Sequence, residues 1–407
     1  MRTLRVKSLN LAKSLSLLAI ALLLVDGAWG GSKFRVVYNF KGGTDGGGSW
    51  AGVTFDKNGN LFGTTLGGGG GRCNGGCGTV YKLKPNNNGR WTETVVHSFN
   101  YPVTGPYGGL VADPQGNLYG TIDSNDGGFL FEITSIGGWN QYVLPDGGSG
   151  ASLLMDNTRN LYGPGGGGVY DLVPHSRGWQ QNVIYTFHPQ SGKNGTDGAD
   201  AVGTLIADGR GNLYGATEFG GNYPPTCSGG GGCGTVFELS PTTDGKWKEH
   251  VLHRFAKYTN DGQLPMAGLV MDATGILYGT TYEGGRYQTG TIYKLTPDKA
   301  GRWKETILFD FPKAADGGGP TSSLVFDSKG NVYGTAGGGG GTCSCGVVFK
   351  LTPGTDGTWM YSVLHRFTGR DGGVVESGLT PDGRGNFYGT TLWGGTYLYG
   401  VVYEITP

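Results

Sequence analysis

An all-β fold is what this 407-residue sequence predicts, and three observations carry the prediction. First, the chain repeats. With the glycine of a recurring YG pair as ruler, copies fall at Gly63, Gly120, Gly163, Gly215, Gly279, Gly334 and Gly389, spaced by 57, 43, 52, 64, 55 and 55 residues. Second, each copy holds four short stretches of strand formers, with the consensus PxxGLVxDxxGNLYGTTxxGG, GTVYKLTP, WxExVLHxF and DG. Third, many of the 84 glycines recur at fixed register among 12% aromatic residues, which argues against the disorder that such a glycine content would otherwise suggest.

The unit from Gly268 to Pro297 shows the elements in order. GLVMD is apolar and extended, and Asp272 followed by Gly275 marks a tight hairpin turn. ILYGTTY is a second strand with Gly279 inside it, a position where another backbone or a neighbouring sheet can come close. GTIYKLTP alternates apolar and polar residues, as a half-buried strand does, and Pro297 ends it. RWKETILFDF supplies the fourth strand. Four antiparallel strands repeated seven times make a seven-bladed β-propeller. Fourth strands recur at Trp91, Trp139, Trp179, Trp247, Trp303 and Trp359, one short of seven, while the last unit stops after a third strand at Pro407. The missing copy is FRVVYNF, Phe34 to Phe40. This amino-terminal strand is expected to join the last blade and close the ring, leaving no unpaired edge.

Residues 1–30 read as a signal peptide: Arg2, Arg5 and Lys7 precede an apolar run from Leu15 to Val25 and a small-residue site ending at Gly30. Residues 31–407 then form one propeller domain. The apolar run is shorter than the roughly 20 residues of a membrane span. The expected product is a secreted or periplasmic monomer without a lipid or transmembrane anchor. Lysine plus arginine and aspartate plus glutamate both number 31, so no electrostatic footprint for nucleic acid or an anionic membrane is present.

Counted from the YG glycine to the glycine that opens the third strand, the span between second and third strands varies from 4 residues in blade three to 19 in blade four, whereas the turns on the opposite face are short and uniform. Function is therefore expected on the variable face. At its centre, six residues before each turn aspartate, stand Trp50, Tyr107, Gly150, Val202, Met266, Thr321 and Glu376. Trp50, Tyr107 and Glu376 come from consecutive blades; two aromatic faces beside a carboxylate suit a sugar or similar ligand, against the plainer reading that they plug the channel. Asp123, Glu218, Glu283 and Trp393, at the upper ends of second strands, are further ligand-binding candidates.

Other motifs read as structure. Asp56, Asp113, Asp156, Asp208, Asp272, Asp327 and Asp382 each open the same turn and cap its amides, a role that needs no calcium. His97, His253 and His365 share a fourth-strand slot with Tyr38, Tyr185 and Phe309, which marks it as a packing position. Cys73 with Cys77, Cys227 with Cys233, and Cys343 with Cys345 are expected to form local disulfides that staple the variable loops, with a redox role for the last pair as the alternative. No P-loop, HExxH motif or serine, histidine and acid grouping is present, and neither a metal nor a cofactor is expected.

The unit GLVxDxxGNLYGTTxxGGxxxxGTVYKLTP resembles the tandem repeat of bacterial choice-of-anchor, GloVer-containing proteins. More loosely it is similar to NHL and two-component-regulator propellers, which also carry a DxxGN turn. The resemblance covers nearly all of residues 31–407, with blades two and three lacking the second threonine and part of the loop. It implies an exported propeller and transfers no catalytic residues. Two functions are carried forward: a binding scaffold for an extracellular ligand, a glycan or a protein, on the variable face, and a polysaccharide lyase or glycoside hydrolase using that face.

Overall fold

The computed structural model describes residues 31–407 apart from 102–104, 123–127, 137, 145–150, 166, 177, 189–194, 223–226, 228–230, 259, 313–315 and 341–342. Residues 1–30, Asp123 and Gly150 thus lie outside the described residues. Seven four-stranded antiparallel sheets follow one another along the chain. Blade one comprises Thr54–Phe55, Leu61–Thr65, Thr79–Pro85 and Trp91–Ser98. Blade seven joins Thr380–Pro381, Phe387–Thr390 and Val401–Thr406 to Lys33–Asn39 from the other end of the chain. Lys33 pairs with Thr406 and Asn39 with Val401, around a bulge between Val36 and Tyr38. This clasp closes the ring where the sequence places it.

First strands are shorter than the apolar GLVxD segments suggest. In six blades the first ladder holds two residues, the exception being Ala199–Ala207 of blade four. The preceding residues, such as Gly52, Val53, Gly268 and Gly378, line the axial cavity instead of pairing. Apolar clusters fill the wedges between blades; Phe40, Val53, Leu61, Tyr81, Leu83, Tyr388 and Val402 pack blade seven against blade one. Each such side chain contributes about 1.5–3 kcal/mol by leaving water.

The YG glycine has one cause in all seven blades. Gly63, Gly120, Gly163, Gly215, Gly279, Gly334 and Gly389 pair directly with Tyr81, Phe131, Tyr170, Phe237, Tyr293, Phe349 and Tyr403 of the third strand. Each of these rings is buried and folds onto the bare glycine. A Cβ on Gly63 would stand 2.3 Å from the Tyr81 hydroxyl oxygen, and one on Gly215 would stand 2.5 Å from Phe237 Cζ. The close approach expected at this glycine is therefore made by an aromatic ring.

The turn aspartates act as the sequence indicates. Asp56 Oδ1 accepts the amides of Asn58 and Asn60 at 2.8 and 2.9 Å, and Oδ2 accepts the Asn60 side-chain amide at 2.6 Å. Asp327 repeats the pattern with Lys329 and Asn331, and also receives the Tyr333 hydroxyl at 2.9 Å. Burial alone would push these carboxyls up. The hydrogen bonds outweigh it and hold Asp56, Asp156, Asp208, Asp272 and Asp327 below their ordinary value.

Candidate functional site

First strands converge on the ring axis, so the residue that enters each one is delivered to a single central opening. A cavity of about 460 Å³ occupies it. Trp50, Tyr107, Val202, Met266, Thr321 and Glu376 all line it, so every described residue of the predicted mouth position is in place. Trp50 is 37% and Tyr107 48% exposed. Their rings meet edge to face, with centroids 5.9 Å apart and planes at 73°, so they form a corner rather than a flat platform. Glu376 shares the cavity but turns toward blade six. It accepts a hydrogen bond from the Thr321 hydroxyl and leans over Gly337, where a Cβ would stand 3.0 Å from Oε1. Beyond it a second cavity of about 560 Å³ is lined by Tyr282, Thr289, Gly318, Gly338, Ser344 and Glu376 among others, which puts this carboxylate at the junction of two cavities.

The remaining predicted residues stand elsewhere. Glu218, Glu283 and Trp393 are not among the described residues lining the axial cavity. Trp393 bridges to Gly373, its ring covers that glycine, and it packs in a cluster with Cys345, Val375 and Phe367. Glu283 pairs its backbone with Gln263 in a small two-stranded sheet. Glu218 is half-buried, and burial together with the charge of Asp200 raises its pKa. The three local disulfides, Cys73–Cys77, Cys227–Cys233 and Cys343–Cys345, are all present. A larger cavity, about 850 Å³, opens on the short-turn face between blades four and five, beside Asp208, Arg210, Tyr214, Glu238 and Trp303. Asp208 there is already committed to its own turn and to Arg210.

The histidine and tyrosine slot is more than the packing position expected. Three of its polar members reach an aspartate of the following DG loop: Tyr38 donates to Asp45 at 2.5 Å, Tyr185 donates to Asp197 at 2.9 Å, and His365 Nε2 lies 2.9 Å from Asp371 Oδ2. The next blade faces the slot with a residue near the start of its outer strand. Where that residue is aromatic it stacks, Phe34 on His365 at 3.6 Å and Tyr361 on Phe309 at 3.9 Å. Where it is glutamate, burial first and the neighbouring aspartate second raise its pKa: Glu93 beside Asp45 and Glu249 beside Asp197 are pushed up to about 7, and Glu305 beside Asp261 to about 9.

These shifts give stability a pH signature. A carboxyl raised on folding favours the fold fully below its unfolded value of about 4.5 and loses that contribution as pH climbs through the folded value. The turn aspartates act oppositely, losing their contribution as pH falls below about 4. Burial lowers His97 and His365, which favours the fold as pH rises toward 6.5. Melting temperature followed from about pH 3 to about pH 9 is expected to peak below pH 7 and to descend above it. Glu93→Gln with Glu249→Gln should flatten the glutamate-driven fall between about pH 5 and about pH 7 by a few degrees. An unaltered profile would contradict this account.

Comparison with known proteins agrees with the repeat. Residues 225–407 match the Gloeobacter/Verrucomicrobia repeat. That span holds the outer half of blade four, all of blades five and six and the three carboxy-terminal strands of blade seven, and it is the repeat that the GNLYGT unit resembles. No curated protein matches the chain. Among solved structures, the extracellular domain of a B. thetaiotaomicron protein described as a hybrid two component system superposes with a TM-score of 0.55 at 12% identity, covering 91% of this chain and 39% of that one. A protein from Lactobacillus plantarum gives 0.50 at 13% identity, covering 86% and 99%. A gluconolactonase from Xanthomonas campestris gives 0.44 at 14% identity, covering 94% and 92%. The first two share the propeller fold with this chain; the third is too distant to inform its chemistry. Among the described residues, no helix is long and apolar enough to cross a membrane.

Proposed function

We propose that the protein is an exported binding propeller that takes an extracellular saccharide at the axial cavity of its variable face. The observation that carries this reading is the convergence of Trp50, Tyr107 and Glu376 on one open cavity of about 460 Å³. Half-exposed aromatic rings offer apolar faces to the C–H surfaces of a sugar ring, and a carboxylate accepts its hydroxyls. The corner between Trp50 and Tyr107 suits a chain end or a bent chain better than a flat stack of sugars. Hydrolysis by paired carboxyls needs two such groups roughly 5 to 10 Å apart. Among the described residues lining this cavity Glu376 is the one carboxylate, which supports binding over turnover. Six local cysteines, all disulfide-bonded, fit an oxidising compartment, in line with export.

The test is a polysaccharide panel assayed both for binding and for release of new chain ends. Binding without turnover is expected, weakened about tenfold by Trp50→Ala and by Tyr107→Ala, since a ring contact of this kind is worth about 0.5–1.5 kcal/mol beyond its buried area. Release of new ends that Glu376→Gln abolishes would replace the binding reading with a hydrolase or lyase. Unchanged affinity in both aromatic variants would remove the site.

A further inference from the structure

The junction between blades four and five differs from its counterparts in a way that points to a bound ion. At the junctions that place Glu93 and Glu249, the slot holds a tyrosine whose hydroxyl donates to the loop aspartate. Here the slot holds an imidazole, and no hydrogen bond replaces the lost one. His253 Nε2 stands 3.5 Å from Asp261 Oδ1 and 3.6 Å from Glu305 Oε2. Ligand atoms of all three residues lie within 4.8 Å of one another. Their side chains are 7%, 1% and 9% exposed, and His253 Nε2, Asp261 Oδ1 and Glu305 Oε1 have no hydrogen-bond partner. Buried polar atoms without partners are costly, and these three belong to side chains whose ligand atoms already stand close enough to share one ion.

The spacing fits a small tetrahedral ion. Around zinc, with bonds of about 2.0–2.1 Å, neighbouring ligand atoms stand about 3.3–3.4 Å apart, close to the two measured separations. The set is one imidazole and two carboxylates without sulfur or backbone carbonyl, a combination that suits a divalent transition metal better than calcium with its all-oxygen shell. The supporting shell is present: Asp261 Oδ2 accepts the Lys257 backbone amide at 2.8 Å, which orients Oδ1 toward the histidine. A cavity of about 580 Å³, lined by His253, Glu305, Tyr258 and Trp303 among others, supplies an entry path and room for a water at the fourth position.

We propose that His253, Asp261 and Glu305 form a binding site for one divalent transition-metal ion of the zinc type. His253 lies on the outer strand Trp247–Arg254 of blade four, Glu305 on the outer strand Trp303–Asp310 of blade five, and Asp261 on the connection between them. The ion would fasten one blade to the next at the rim, far in sequence from the axial residues Trp50 and Tyr107.

The experiment uses the protein freed of metal with a chelator, titrated with Zn²⁺ by calorimetry and followed in parallel by thermal melting. One saturable equivalent and a raised melting temperature are expected. His253→Tyr installs the residue that the other two junctions carry, so it is expected to fold, and it should bind at least about a hundredfold more weakly. Asp261→Asn gives a second variant with the same expected loss, and His365→Tyr, which removes a histidine from a junction without a facing carboxylate, should bind as wild type. Absence of one-equivalent binding in the wild type, or equal affinity in folded His253→Tyr and Asp261→Asn proteins, overturns the proposal.

Discussion

A protein lacking residues 31–40 is expected to lose its cooperative thermal transition, or to melt more than about 10 °C lower, when followed by circular dichroism. The deleted strand carries the whole Lys33–Asn39 ladder to Val401–Thr406. It also carries Phe40, which is fully buried, and Phe34, which stacks on His365 and packs near Tyr403. Truncating a buried phenylalanine to alanine costs about 3–5 kcal/mol. The loss of Phe40 alone approaches the lower end of the roughly 5–15 kcal/mol that holds a typical domain folded, and the half-buried Phe34 and the strand ladder add to it. The exposed edge of Val401–Thr406 should then accept a synthetic peptide of residues 31–42 added in trans, restoring the transition by strand addition. A truncated chain that melts like the intact one would show that the ring does not depend on its clasp.

Gly279→Ala is expected to destabilise the protein by about 3 kcal/mol, the upper end of what overpacking costs. The new Cβ would stand 2.4 Å from the Tyr293 hydroxyl oxygen and 3.0 Å from Leu269 Cδ2. Tyr293 is fully buried and packs edge to face against Phe255 at 5.1 Å, so the ring has nowhere to retreat. The measurement is the urea midpoint at unchanged slope. Removing the ring should relieve the clash, so in the double variant Gly279→Ala with Tyr293→Ala the two penalties should sum to less than their separate values. Additive penalties would mean that the glycine serves its strand through backbone freedom rather than through the ring above it.

Much of this architecture was legible because a propeller repeats its packing problem in every blade. The YG glycines, the turn aspartates and the tryptophans that open fourth strands located the strands, and counting back from the aspartates placed Trp50, Tyr107 and Glu376 on one cavity. Side-chain direction was not legible. Glu376 turns to Thr321, and Trp393 covers Gly373, because their positions are decided by loops rather than by the ladder. The junction clusters were hidden for a related reason. Asp45, Asp197, Asp261 and Asp371 follow their slot residues at differing distances along variable loops, and the facing Glu93, Glu249 and Glu305 lie on the next blade. A signal did exist, since the glutamate of WxE and the aspartate of DG recur at set places in the repeat.

The differing junctions also bear on assembly order. Seven nearly identical units could in principle stack in any sequence, and a ring that closed out of order would bury almost the same apolar area. Five of the joints are keyed: Phe309 meets Tyr361, His365 meets Phe34, and the tyrosine or histidine slots before Glu93, Glu249 and Glu305 meet a carboxyl. Exchanging neighbours would set a buried glutamate against a phenylalanine with no partner for its proton or charge, a penalty of the kind that specifies one arrangement by excluding others. The rim thus works as a set of locks of several kinds, so that many wrong orderings of the blades would close with a misfit.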